Sequence, residues 1–176
     1  MAVLPFASVK ASPITVRPAE AADLEQINDV YNHYVLTSPA TFDIEPITMD
    51  ARKEWFTHYE PTGRYRLQVA VDGDTVLGFA SSSPHRLRKA YETSIETTAY
   101  VAPDATGLGV GSALYTALFE AVAGEDIHRA YAGITQPNHA SNALHEKFGF
   151  TRAALYSEQG RKFGRYWDVA WYEKQL

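Results

Sequence analysis

The sequence predicts an α+β protein of one domain, and three observations carry that reading. Apolar, β-rich runs and amphipathic helical stretches follow one another as strand, two helices, three strands, helix, strand, helix, two strands, which is neither a bundle nor a regular strand–helix repeat. Asp72-Gly73-Asp74 stands between two of the strands as a hairpin signal. A loop with glycines at 107, 109 and 111 joins a long strand to a helix. The 176 residues suit a single core. Residues 14–176 are read as the domain and residues 1–13 as a loose leader.

Each element has its own local reason. Ile14–Arg17 is a short strand stopped by Pro18. A helix begins at Asp23, with Leu24, Ile27, Val30, Tyr31, Tyr34 and Val35 on one face, and Ser38-Pro39 ends it. A second helix is expected near Asp50, carrying Trp55 and Phe56, before the breaker Pro61-Thr62-Gly63. Arg66–Val71 and Thr75–Ser82 flank the hairpin turn. A basic connection, Pro84–Lys89, leads to a long strand over Tyr91–Val101. After the glycine loop a helix starts at Ser112, where Leu114, Leu118 and Val122 recur every four residues. Ala130–Ile134 is a short strand, and Pro137-Asn138 opens a helix that Gly149 stops. Phe150–Ser157 and Tyr166–Tyr172 close the chain as paired strands around a Gly160–Gly164 turn region.

Composition excludes several classes. The net charge of −5 makes nucleic acid or an anionic membrane a poor main partner. With no cysteine there is no disulfide, thiolate metal site or cysteine acyl-enzyme. No apolar run approaches a membrane span, and the N-terminus lacks a basic first segment and is interrupted by Pro5, so it makes a poor signal peptide. A cytoplasmic protein without a metal is expected.

The stretch Tyr100–Phe119 is the most informative. A strand, a glycine turn and a helix N-terminus present free backbone N–H groups and partial positive charge, which suits phosphate. The loop lacks the Gly-Lys-Ser/Thr of a Walker loop, and both frames of the dinucleotide fingerprint fail, at Ser112 and at Leu114. A plain glycine-rich connection is the other reading of the same residues. The loop resembles the coenzyme A pyrophosphate loop of the GNAT N-acetyltransferases: Gly109 and Gly111 match, and Thr106 stands where that family has Arg or Gln. The order of elements is similar to the GNAT fold over nearly the whole chain from Ile14. The resemblance implies a mixed central sheet flanked by helices, with two strands splayed to admit the cofactor. It implies acetyl-CoA bound by Ala99, Tyr100, Val101, Gly107, Leu108, Gly109, Val110, Gly111, Ser112 and Asn138.

A second match is Asn138, Ser141, Leu144, Gly149 and Phe150, in which His145 replaces the family's usual tyrosine. That position lies beside the coenzyme sulfur in the family and would protonate the leaving thiolate. A half-buried helix histidine that only hydrogen-bonds is the alternative. The strand Ile95–Val101 resembles a narrower branch, the phosphinothricin N-acetyltransferases, as do Phe42, Glu45-Pro46 and Gly164–Val169. There Glu96 occupies the place of the base, five residues before Val101. A Glu inside a β-branched strand is unusual, though an outward, solvated Glu is the bland reading. Phe42, Arg88 and Tyr91 are the expected substrate contacts, with Arg88 equally readable as a solvated loop charge. The resemblance implies direct acetyl transfer to the amine of a small amino acid such as phosphinothricin or methionine sulfoximine, and a homodimer. A protein-amine acetyltransferase and a non-catalytic acyl-CoA sensor are the competing functions.

Overall fold

Strands of Val, Ile, Ala and Thr assemble into one seven-stranded sheet in the computed structural model, which describes residues 14–176; the leader read over residues 1–13 lies outside them. The strands are β1 (Thr15–Pro18), β2 (Leu67–Asp72), β3 (Thr75–Pro84), β4 (Ser94–Val101), β5 (Arg129–Thr135), β6 (Thr151–Lys162) and β7 (Arg165–Gln175). Their order is β1-β2-β3-β4-β5-β7-β6. Every pairing is antiparallel except β4 with β5, so the sheet is mixed as expected. The helices are α1 (Leu24–Thr37), α2 (Met49–Phe56), α3 (Val110–Ala121) and α4 (His139–Lys147).

Period-2 alternation splits the sheet between two cores. Leu67, Val69 and Phe79 pack against Leu24, Ile27 and Val30 of α1. Ala70, Ala80, Ile95, Ala130 and Ala132 face the other way, against Leu114, Tyr115 and Leu118 of α3. Small residues on that face let α3 lie close to the sheet. Leu114 and Leu118 are wholly buried, each contributing about 1.5–3 kcal/mol by removal from water. α1 stops at Ser38, whose extended backbone is the conformation a residue before proline prefers.

Three boundaries differ from the sequence reading. Lys89–Tyr91 forms a 3-10 turn, so β4 begins at Ser94. α3 starts two residues early, at Val110. The closing hairpin turns on Phe163-Gly164 alone, with φ of 52° and 73°, the two left-handed positions of a tight hairpin turn. Gly160 belongs to β6 instead, where the Phe42 ring lies against it and leaves no room for a Cβ. That close approach, rather than a turn, explains the glycine.

The feature that positions the site is a fork. The parallel pairing of β4 and β5 runs only from Ser94–Arg129 to Glu96–Tyr131. Beyond Glu96 the two strands part.

Candidate active site

A cavity of about 480 Å³ fills the fork and continues between α3 and α4. One wall is β4 from Thr97 to Val101, and the facing wall is β5 from Ala132 to Thr135. Ala102 N donates to Leu77 O on the β3 side at 2.8 Å. Strand alternation therefore turns the amides of Ala99 and Val101 the other way, into the gap, with no strand to receive them. Tyr34 Oη donates to Val101 O at 2.6 Å and fixes the lip of this wall.

The floor is the glycine loop. The first α-helical hydrogen bond of α3 runs from Ala113 N to Gly109 O at 3.0 Å, so the preceding first-turn amides have no helical acceptor. Gly109 is the N-cap residue with φ 83°, in the left-handed region that disfavours a side chain. Lys147 Nζ donates to Ser112 Oγ at 2.8 Å, which adds a full positive charge to the partial charge of the helix end. Free amides, a helix N-terminus and a lysine fit a pyrophosphate.

Glu96 stands at the apex of the fork, the last residue of β4 to pair with β5. Its carboxyl is partly exposed and lies 3.4 Å from His85 Nδ1, without hydrogen-bond alignment. Burial pushes the Glu96 carboxyl above the usual carboxylate range, while the nearby His85 and Arg86 pull the other way. His85 is held flat on Tyr131, 4.4 Å between ring centres. A carboxyl whose pKa is raised toward neutrality is suited to general-base work.

The residues 27–150 match the model of the Acetyltransferase (GNAT) family. The chain belongs to the GNAT acetyltransferase family. It is 56% identical over 165 residues to a phosphinothricin N-acetyltransferase of Streptomyces coelicolor, covering 93% of this chain and 96% of that one. It is 32% identical over 163 residues to an L-methionine sulfoximine/L-methionine sulfone acetyltransferase of Salmonella typhimurium, covering 93% and 95%. Among solved structures, a phosphinothricin acetyltransferase from Sinorhizobium meliloti in complex with AcCoA superposes with a TM-score of 0.86 at 34% identity, over 93% of this chain and 88% of that one.

Within this GNAT domain the expected cofactor residues Ala99, Tyr100, Val101, Gly107, Gly109, Val110, Gly111, Ser112 and Asn138 all line the fork cavity. Leu108 does not; it is 62% exposed. Asn138 caps α4, accepting from Ser141 N at 3.1 Å. Thr106 Oγ1 donates to Pro103 O and shapes the loop; Lys147, rather than Thr106, brings the charge.

His145 also lines the cavity, 4% exposed and engaged at both ring nitrogens. Nδ1 is 2.7 Å from Ser141 O, a carbonyl that can only accept, and this assigns the ring proton to Nδ1. Nε2 then accepts from Tyr115 Oη at 2.8 Å. Burial lowers the imidazole pKa, so the ring is neutral at pH 7. The relevant unit is the His145–Tyr115 pair.

The expected substrate contacts are scattered. Arg88 and Tyr91 sit exposed on the 3-10 turn, and Phe42 packs on β6; none of the three lines the fork cavity. Sequence reasoning passed over Tyr115, Lys147, His85 and Lys162. Lys162 is 4% exposed, and its ammonium donates to Ser38 O and Thr41 O at 2.8 Å, strapping the loop after α1 to β6. A tyrosine on an apolar helix face and a lysine in a closing strand carry no spacing that would mark them.

Proposed function

We propose that this GNAT enzyme transfers the acetyl group of acetyl-CoA directly to the amine of a small, acidic or oxidised amino acid of the phosphinothricin or methionine sulfoximine type. One observation carries the reading. The fork cavity meets a second cavity, on the α1–α2 side of the sheet, at Thr98 and Tyr100, two and four residues past Glu96. Glu96 itself lines neither cavity; a donor entering between α3 and α4 and an acceptor entering from the other side would meet at Thr98, two residues of strand from its carboxylate. The relatives named for phosphinothricin and for methionine sulfoximine support the choice of acceptor.

Bound acetyl-CoA would supply an activated thioester carbonyl. The chain's own part is assigned as follows. Glu96 takes the amine proton, directly or through a water, and His85 steadies the resulting charge balance at the apex. The gap-facing amides of Ala99 and Val101 donate to the oxyanion. The first-turn amides of α3, Lys147 and the Asn138 amide group hold the pyrophosphate arm. The leaving thiolate takes up the proton that Glu96 removed from the amine, relayed by water past the His145–Tyr115 pair, whose own ring and hydroxyl protons are held by Ser141 O and Nε2.

A thiol-release assay over a panel of amines tests this. Phosphinothricin and methionine sulfone should turn over with kcat/KM well above that of a lysine-bearing peptide. The reverse ranking would shift the assignment to protein amines, and saturable acetyl-CoA binding with no turnover on any amine would make the protein a sensor. We also infer a cytoplasmic homodimer, paired through the exposed Leu155, Tyr156, Phe163 and Tyr166 of the β6–β7 hairpin. Light scattering at working concentrations should give twice the chain mass; a monomer mass would remove this element.

A further inference from the structure

The second cavity, about 310 Å³, is closed by α1 and α2 over β3 and β4. Its walls are rich in aromatic rings, among them Tyr31, Trp55, Phe79 and Tyr100, with the hydroxyl-bearing Ser81 and Thr98 at the sheet. The one side chain in its lining that carries positive charge is Arg52, which is 3% exposed. Its guanidinium carbon lies 4.8 Å from the Tyr31 ring centre and 4.4 Å from that of Trp55. Nε donates to Asn28 Oδ1 at 3.0 Å. Nη2 is enclosed and has no hydrogen-bond partner. Asp43, the acid on the same cavity, makes no ion pair with Arg52 and is taken up by Tyr31 Oη at 2.6 Å.

A buried cation is ordinarily paired, because removing it from water is expensive and an unbonded donor adds to that. Here the fold fixes the plane of the fork with two rings and one amide, and leaves its outer edge without an acceptor. That is the arrangement of a preorganised oxyanion site.

We propose that Arg52 binds the oxyanion at the far end of the acceptor's side chain, a phosphinate or carboxylate, and thereby selects acidic amino acids. This rests on the amino-acid N-acetyltransferase reading above. The choice of the distal group over the acceptor's own α-carboxylate comes from the register of β3 and β4. Glu96 pairs with Ser83, Thr98 with Ser81, and Tyr100 with Phe79, all on one face. The rings that enclose Arg52 meet this last pair edge to face: Trp55 against Phe79 and Tyr31 against Tyr100. Four residues of strand separate that level from Glu96, roughly 13 Å at about 3.3 Å per residue. An amine within reach of Glu96 and the Ala99 amide keeps its α-carboxylate near that end. Of the acceptor's two acidic groups, the distal one extends further along the strand toward Arg52.

The test compares two acceptors of similar length, phosphinothricin and norleucine, the second lacking the distal oxyanion. Arg52→Met should raise KM for phosphinothricin by roughly 100-fold and leave kcat/KM for norleucine within about threefold. Equal loss on both acceptors would make Arg52 a packing residue, and no loss on either would remove it from the site; both outcomes overturn the proposal. A measurement without turnover guards against a variant that does not fold or a comparator that is not acetylated. In the wild-type protein phosphinothricin should change the emission of Trp55, isolated as the part of the signal lost in Trp55→Phe, and norleucine should not. An unchanged Trp55 signal at saturating phosphinothricin overturns the proposal. A wild-type protein that shows the Trp55 response and acetylates neither amino acid would instead defeat the acetyl-transfer reading, leaving the oxyanion site standing.

Discussion

The two cavities meet at β4 and are built from different material. The fork cavity is lined largely by backbone: the gap-facing edge of β4, the first turn of α3, and a loop whose conformation depends on Gly109 at φ 83°. The cavity under α1 and α2 is lined by side chains that arrive from four separate segments, and its one cationic side chain is a buried arginine. A backbone cradle tolerates changes such as Thr106, since amides are present whatever the side chain. A side-chain cavity changes its ligand with any one residue. Donor binding should therefore be robust in this fold and acceptor choice labile.

The largest expected effect probes the apex of the fork, two residues of strand from where the two meet. Glu96→Gln should lower turnover by roughly two to four orders of magnitude at neutral pH and leave acetyl-CoA affinity near wild type. Steady-state kinetics with calorimetry separates the two, and wild-type turnover in a folded variant would pass the base role to water or another carboxylate. Since burial raises the Glu96 pKa, the wild-type rate should climb with pH through a value above that of an ordinary glutamate. His85→Gln removes a neighbour that favours the carboxylate and should move that limb to higher pH. The stability consequence has a definite sign. A carboxyl whose folded-state pKa is raised stabilises below its unfolded pKa, and that contribution is lost as pH rises through the folded value. Glu96→Gln should then be at least as stable as wild type at pH 8, as read by urea denaturation.

Next in size is Gly109→Val, aimed at the backbone side of the comparison. No atom lies within 4 Å of a Cβ built there, so the substitution acts through the left-handed backbone and not through packing. Holding that conformation costs about 1–2 kcal/mol for a non-glycine residue. A loop that relaxes away from it should bind acetyl-CoA about tenfold more weakly or worse, and calorimetry showing unchanged affinity would place the pyrophosphate elsewhere.

A smaller effect is expected inside the fork. Tyr115→Phe leaves His145 Nε2 buried without its donor, which should cost about 1–3 kcal/mol of stability. If the pair guides the proton relayed to the thiolate, kcat falls as well, by about tenfold; a stability loss with unchanged kcat would make the pair purely structural. The smallest change is Lys147→Ala. Lys147 is solvent-exposed, so its contribution is screened. Acetyl-CoA Kd should rise a few-fold at low salt and converge on wild type at high salt. A salt-independent difference would point to lost packing.

The sequence by itself determined the class, the order of elements along the chain, and the glycine loop that floors the fork cavity. Those features are local. A glycine loop between a strand and a helix fixes its own amides, the Asp72-Gly73-Asp74 turn sets a register, and Glu96 is visible as a misfit among β-branched neighbours. What only the tertiary structure decided is how distant side chains meet. Gly160 reads as a turn until Phe42 is seen lying on it, 118 residues away in sequence. His145 reads as a lone acid until Tyr115, on a different helix, is found at its Nε2. Arg52 carries no mark in the sequence, and only the fold shows Asn28, Tyr31 and Trp55 enclosing it. Periodicity and spacing carry information about neighbours along the chain. They carry none about which charge the packing of two helices on a sheet will take out of water, and that desolvation is what turns a charge into a site.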